Sequence, residues 1–587
     1  MAAKPIEIIE TIGADNLAKQ LAALYNKWWI QRKTAEEEWK ELRNYLFATD
    51  TTTTTNSELP WKNKTTIPKL TQIRDNLHAN YLDALFPNDS WLRWEGSSQD
   101  DATLKKRQAI EPYIKNKCKE SGFREVISRC VLDYIDYGNA FAGVEWVNEK
   151  HVDPFSEEEI TTYVGPKVRR ISPHDIVFDP TVIDFKDTPK FTRLLKPLGE
   201  LRKEVETRPD FQYDTAVFRK VEELRTKLSA FKLEDINKSE AFQVDGFGSL
   251  HEYLNSGYVE ILEFEGDVYN PETYEYKEKR VVTIVDRSYI LRDIQNPSWL
   301  GKDYKEHVGW RDRPDNLYGM GPLANLVGMQ YRLDHLENLK ADAFDLIVQP
   351  PLKIVGDVEP FEWGPFAQIH VPEDGDVVPL GNTSGVLSVN NEIAYLLHLM
   401  EEMAGAPKEA MGMRSPGEKT AFEVQQLQNA AGRIFQHKVN KFEIEFLEPL
   451  LNSMLELSKR NMDTKDLVRI MDDDLGVVEF MSITKEDITA RGKLRPIGAR
   501  HYAVRAQLMQ NLNGVFSSPI GQIIAPHVSP RRLAKLVEDF MGFDQFDFIQ
   551  DNAAVFESQE TQQLMAEAQG QGAVNQATPV EQGVLGG

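Results

Sequence analysis

The sequence predicts an α+β fold, predominantly helical and elongated, in which long helices carry a β-rich part and a small α/β excursion. Three observations lead there. Apolar residues recur every three or four positions through residues 17–46, 70–85 and 322–348. Residues 161–318 change to Val-, Ile- and Tyr-rich runs divided by turn residues. A stretch rich in Pro, Gly and Val, Gln349 to Val389, then separates two central helices.

The first stripe is Leu17, Leu21, Leu24, Trp28, Ala35, Trp39, Leu42 and Leu46, one face of a helix. Thr51 to Thr55 ends it, because five β-branched polar residues in a row favour an exposed loop. Pro68 opens a second helix through Leu70, Ile73, Leu77, Tyr81 and Leu85, stopped by Pro87. Trp91 to Trp94 alternates like a short strand. Helical spacing returns from Thr103 to Tyr137, and a strand follows at Ala140 to Val147.

In the β-rich part, Val164 to Ile171, Tyr258 to Phe264 and Arg280 to Leu291 read as strands, interrupted by a charged helical insertion over 199–240. Pro322 to Val348 then reads as one helix of 27 residues, about 40 Å long at about 1.5 Å per residue. Its inner positions include Leu323, Leu326, Leu333, Leu336, Leu339 and Ile347, while Arg332, Asp334, Glu337, Lys340, Asp342 and Asp345 take the other faces. A second helix covers about Asn391 to Met403. A very long third covers Thr420 to Arg460, where Pro449 is positioned to kink it. Ser415-x-x-Glu418 and Thr420-x-x-Glu423 are alternative capping boxes for its start. Residues 551–587 hold five acidic and no basic residues, and composition marks them as a flexible tail.

The chain's 587 residues exceed a single core. With 92 acidic against 68 basic residues the net charge is −24, which argues against tight nucleic-acid binding. Cys118 and Cys130 support neither a disulfide framework nor a zinc site, so two reduced thiols are expected. No signal-peptide pattern opens the chain, and no apolar run is long enough to span a bilayer; a soluble protein made in the cytoplasm is the expectation.

Catalytic motifs are weak. Gly412-x-x-x-x-Gly417-Glu418-Lys419-Thr420 approximates a P-loop, but Glu418 displaces the lysine and a helix precedes it where a strand is required. Gly319-Met320-Gly321 approaches a dinucleotide fingerprint without its strand–turn–helix setting. Asp472 to Asp474 lacks an acidic partner set for a cation, and His335 and His398 lack metal-ligand spacing. Neither an enzyme nor a cofactor or metal is expected.

Leu317-Tyr-Gly-Met-Gly-Pro-Leu323, followed by Gln330-Tyr-Arg-Leu-Asp-His-Leu-Glu-Asn-Leu-Lys340 and Pro350-Pro351, resembles the portal (head–tail connector) proteins of tailed bacteriophages, most nearly those of short-tailed phages. Gly405-Ala-Pro407 with Arg414-Ser-Pro-Gly-Glu-Lys-Thr-Ala421, and Ile171-Ser-Pro-His-Asp175 with Phe178-Asp-Pro180, are further points of resemblance. The order of elements agrees over roughly residues 10–550.

The resemblance implies a ring, usually of twelve subunits, at a capsid vertex of the virion, through which double-stranded DNA passes without sequence specificity during packaging and ejection. Residues 1–318 would form the wing, 319–348 and 390–404 two stem helices, and 349–389 the clip. Residues 405–419 would be a tunnel loop, 420–490 the long wing helix and its return, and 491–550 the crown. Lys408, Arg414 and Lys419 would then touch phosphates loosely. Leu326, Leu333, Leu336 and Leu339 would pack subunits in the stem. Pro351, Lys353, Phe361, Trp363 and Phe366 would dock the packaging motor (terminase) and later a tail adaptor, although a small local core fits the same composition. Capsid and scaffolding proteins are further implied partners. The alternatives are a packaging ATPase or nuclease, or an internal protein ejected from the virion.

Overall fold

Helices and sheets alternate in blocks, giving a mixed α+β chain. The computed structural model describes residues 6–7 and most of 14–496; the longer stretches outside it are 153–158, 227–256, 357–369, 380–385, 405–433 and everything from 497 onward. Contacts divide the chain into Met1–Gly498 and Ala499–Gly587, and the described residues all belong to the first unit.

The short strand β1 (Ile6–Glu7) precedes α1 (Ala14–Phe47), whose 34 residues extend for about 50 Å. The expected stripe is buried: Leu21, Trp28, Trp39, Leu42 and Leu46 are all under one-tenth exposed. Arg32 occupies the gap in that stripe and is itself buried. Its guanidinium donates to the carbonyls of Pro173 (2.8 Å), His174 (3.0 Å) and Ile176 (2.6 Å) and pairs with Glu36 (2.5 Å). The Ile171-Ser-Pro-His-Asp175 segment is therefore a turn clamped onto α1.

Thr51 to Thr55 ends the helix and keeps Thr52, Thr53 and Thr55 exposed, as expected, but it is not an irregular loop. Two 3₁₀ turns, capped by the Asp50 and Thr54 side chains, bury Thr51, Thr54 and Asn56. Asp50 and Thr65 form an isolated bridge that closes this strap, residues 50–67. Then come α2 (Lys69–Leu85), starting after Pro68, and β2 (Leu92–Gly96). The single helical stretch expected from Thr103 to Tyr137 is two helices, α3 (Asp101–Glu120) and α4 (Phe123–Asp136). They break at Gly122, whose φ of +68° favours glycine.

Two antiparallel sheets follow. Strands β3 (Asn139–Val152) and β4 (Glu159–Ile171) pair with each other. Strands β5 (Ile176–Phe178) and β6 (Lys190–Pro197) lead through α5 (Leu198–Thr207) and α6 (Thr215–Thr226) to β7 (Tyr258–Asn270), β8 (Glu275–Val285) and β9 (Tyr289–Gln295). The larger sheet has the order β5-β6-β7-β8-β9, with β1 parallel to β7; β10 (Lys305–Gly309) joins the smaller one beside β3. The β-rich expectation for 161–318 holds, with α5 and α6 supplying the described part of the charged insertion. Helix α1 covers one face of the larger sheet through Leu21, Tyr25 and Trp28 against Phe191, Leu262, Phe264 and Val282, while α5 and α6 cover Val259, Ile261 and Val285.

At the β8–β9 turn, Asp286 and Arg287 both have positive φ (50° and 56°), the backbone of a type I′ turn. Two paired ions hold it: Arg225 grips Asp286, and Arg287 grips the buried Glu260 at 2.7 and 2.8 Å. The sheets meet across a buried ion network in which Lys305 contacts Glu263 (2.9 Å) and Glu265 (3.0 Å). Burial raises the Glu265 carboxyl, whereas Lys305 and Arg292 outweigh burial and hold Glu263 low.

The expected 27-residue helix is shorter. Leu323 to Leu326 tightens into a 3₁₀ turn, and α7 (Val327–Val348) contributes 22 helical residues, about 33 Å. Hairpin β11 (Leu352–Val355) and β12 (Asp376–Pro379) leads to α8 (Val386–Met403), which starts earlier than Asn391. Of the expected Thr420–Arg460 helix, residues 420–433 lie outside the described residues. From 434 the helix continues, widens into a π turn at Glu443–Leu447, and resumes as α9 (Glu448–Asn461). Pro449 has no N–H to give, and the wide turn, in which the Glu448 N–H reaches the Glu443 carbonyl, accommodates it. Hairpin β13 (Asp466–Asp472) and β14 (Val477–Ile483) and the short α10 (Lys485–Ile488) precede β15 (Gly492–Pro496), which pairs with β2. Residues 492–496, the start of the segment read as the crown, are thus in the first unit.

Candidate functional site

Three layers build the region around α7, and each answers a sequence feature. The first is the Gly319-Met320-Gly321 turn. It meets the α4–β3 turn backbone to backbone. A Cβ on Gly138, whose φ is +70°, would lie 2.2 Å from the Gly321 nitrogen, and one on Gly321 would lie 2.7 Å from the Ile135 carbonyl. The Asn139 side chain locks the contact, accepting from the Gly319 N–H (2.8 Å) and donating to its carbonyl (3.0 Å). These glycines permit close packing where α7 begins.

The second layer was not visible in the hydrophobic pattern. Gln330, Asp334, Asn338 and Asp342 repeat every four residues and face the strap. Four helical residues rise about 6 Å, close to the roughly 6.6 Å between alternate residues of an extended chain. The side chains therefore meet every second strap residue. Gln330 donates to the Ile67 carbonyl (2.6 Å), and Asp334 accepts from the Ile67 N–H (3.1 Å). Asn338 accepts from the Thr65 N–H (2.8 Å) and donates to its carbonyl (2.9 Å). Asp342 accepts from the Asn63 and Lys62 N–H groups at 2.9 and 3.0 Å. A helix face thus stands in for the neighbouring strand that the strap lacks.

Asp334 is 0% exposed, not placed on a solvent face as its position in the sequence suggested. Burial pushes its carboxyl up to about 7, against the pull of the Ile67 and Gln330 hydrogen bonds. Asp342, near the surface, is held below the usual carboxylate range because the Asn63 and Lys62 amides outweigh its slight burial.

The third layer is apolar and uncovered. Helices α7 and α8 pack on each other, and the buried Lys69–Glu401 pair at 2.5 Å ties α8 to the start of α2. Beyond this anchored part, Phe344, Leu346, Ile347 and Val348 are exposed around the end of α7, Val348 by 76%. Ile354, Val355, Val371 and Val378 extend the surface along the hairpin, and Tyr395 and Met403 along α8. Twelve of the twenty-one large apolar side chains that stand exposed among the described residues fall between Tyr331 and Met403. That concentration marks an apolar surface left uncovered among the described residues.

Of the four leucines assigned to stem packing, Leu326, Leu333 and Leu336 are buried within this chain, and Leu339 is 45% exposed. Only Leu339 presents much surface to a neighbour. Pro351 and Lys353 are exposed at the hairpin. Phe361, Trp363, Phe366, Lys408, Arg414 and Lys419 lie outside the described residues, as do the P-loop-like segment, both capping boxes, and Asp473 and Asp474. His335 packs its ring on Trp61 (centroids 5.1 Å apart), and His398 is exposed.

Cys118 and Cys130 are free and buried, and burial raises both thiols. No group of three or more His, Cys, Asp or Glu residues among the described residues is arranged to hold a metal ion, and no described helix is long and apolar enough to cross a membrane. Ser128 Oγ lies 2.9 Å from His78 Nε2 beside a cleft lined by Leu82, Cys118 and Phe123. That serine sits inside α4, where the backbone N–H groups are committed to helix bonds and cannot form an oxyanion hole. No protein-family model matches this chain, and a search of curated proteins finds no match.

Proposed function

We propose that the chain is a non-enzymatic subunit of a portal ring, the channel through which a tailed phage packages, retains and ejects double-stranded DNA. The exposed apolar surface between Tyr331 and Met403 carries this reading. Two helices that pack together, joined through a hairpin and rooted by buried contacts, offer uncovered apolar side chains that identical neighbours in a ring would cover. The sequence resemblance supplies the particular assembly.

In this reading the hairpin region, with Pro351 and Lys353 exposed, docks the packaging motor and then the tail adaptor, while Lys408, Arg414 and Lys419 touch the passing duplex. The net charge of −24 suits such a conduit, since a wall that repels phosphate lets DNA slide. Electron microscopy and mass photometry of the full-length protein test the proposal. Closed rings with a channel wide enough for a duplex support it. A protein that stays monomeric under assembly conditions overturns it, and ATP turnover abolished by Lys419→Ala would establish a packaging enzyme instead.

A further inference from the structure

We propose that the strap, residues 50–67, is a releasable clasp on α7 whose closure is strengthened when Asp334 takes up a proton. The seam is polar. Its hydrogen bonds run from the side chains of Gln330, Asp334, Asn338 and Asp342 to strap backbone, and Trp61 is the strap's one large apolar side chain in the core. Such a seam gains little from apolar burial and depends on every polar group finding a partner.

Several do not. Thr51 Oγ1, both polar side-chain atoms of Asn56, Trp61 Nε1 and Thr66 Oγ1 on the strap are buried without a hydrogen bond, and so are Gln330 Oε1, Asp334 Oδ2 and His335 Nδ1 on the helix. Unmatched buried groups weaken the closed state, because opening returns each of them to water. At the centre is Asp334. Its Oδ1 takes both available donors, the Ile67 N–H and Gln330 Nε2, so Oδ2 is left as a buried oxygen on which a negative charge has no compensation.

The titratable groups around it offer little relief. From α1 comes Tyr45, with its hydroxyl on Thr55 Oγ1 of the strap. On α7 itself His335 lies against Trp61. Lys69 at the start of α2 is engaged with Gln72 and with Glu401 of α8, and Lys64 of the strap with the Ser57 and Leu59 carbonyls.

The direction follows from linkage. In the closed clasp Asp334 holds its proton up to about pH 7; in an open clasp its carboxyl meets water and titrates near an ordinary aspartate, at about 4. Between those values the closed form binds more protons than the open one. Closure therefore weakens by up to about tenfold per pH unit as pH rises towards 7, and is level above it. Asp342 has the opposite sign but titrates below this window. His335, which burial against Trp61 and the neighbouring Arg332 hold below the usual imidazole range, also has the opposite sign and offsets part of the slope at the acid end.

Hydrogen exchange of the full-length protein at pH 5.5, 6.5 and 7.5, corrected for intrinsic rates, tests the clasp on peptides covering 62–67. The expected result is opening that rises by less than tenfold from 5.5 to 6.5, with the rise abolished in Asp334→Asn and retained or steepened in His335→Gln. Opening that is independent of pH in the wild type overturns the proposal, whether or not Asp334→Asn folds. So does an unchanged rise in Asp334→Asn, or a rise lost in His335→Gln, since the proposal assigns the rise to Asp334 alone.

Discussion

Replacing Leu346 and Val348 with serine separates the fold of the subunit from its assembly. The two side chains are 54% and 76% exposed, so the single chain gains little by keeping them, and the double variant is expected to unfold within about 0.5 kcal/mol of the wild type. Covered by a neighbour, the same exposed fractions amount to a little over one full side chain. At about 1.5–3 kcal/mol for each fully buried aliphatic side chain, the loss comes to about 2–4 kcal/mol per interface. That corresponds to roughly thirty- to several-hundred-fold weaker association. Mass photometry over a concentration series reads the shift in oligomer population, and circular dichroism on the same samples reports the fold. An oligomer that resists dilution like the wild type would refute the assignment of this surface. So would a variant that melts far below the wild type, since the side chains would then belong to the subunit's own core.

Other expectations follow from the same geometry. Arg32→Met is expected to cost about 3–5 kcal/mol, because it strands the partly buried Glu36 and three carbonyls; faster hydrogen exchange across 172–178 is the readout, and unchanged protection would show that the turn holds itself. Gly138→Ala places a methyl against backbone at positive φ and is expected to abolish soluble expression, whereas Gly328→Ala, with nothing within 4 Å, is expected to raise helix stability by about 1 kcal/mol in a melting experiment. Charge reversal at Arg414 and Lys419 is expected to leave ring assembly intact in electron micrographs while lowering the amount of DNA packaged; broken rings would mean that the segment builds the assembly.

Much of the fold was legible because burial imposes a period. The stripe of α1, the strand-rich block and the paired helices about the Pro/Gly-rich stretch all follow from which residues must leave water. The errors have local causes. Thr51 to Thr55 read as an exposed loop because β-branched polar residues disfavour helix; three of the five are exposed, but side-chain capping by Asp50 and Thr54 winds the segment into 3₁₀ turns that bury Thr51 and Thr54. At α7 the first residues tighten into a 3₁₀ turn just after Gly319 and Gly321 press against Gly138, a contact more than 180 residues away in the chain. Arg32 was detectable only as a gap in an apolar stripe, and nothing in the hydrophobic pattern set apart the four-residue repeat of Gln330, Asp334, Asn338 and Asp342.

Composition and periodicity by themselves determined the class: a large acidic α+β chain with long amphipathic helices. The tertiary structure alone decided which polar residues are inside. A hydrophobic stripe announces itself, since apolar side chains have one favourable destination. A polar side chain has two, water or a matched backbone, and only the strap's arrival alongside α7 determined that Asp334 would take the second.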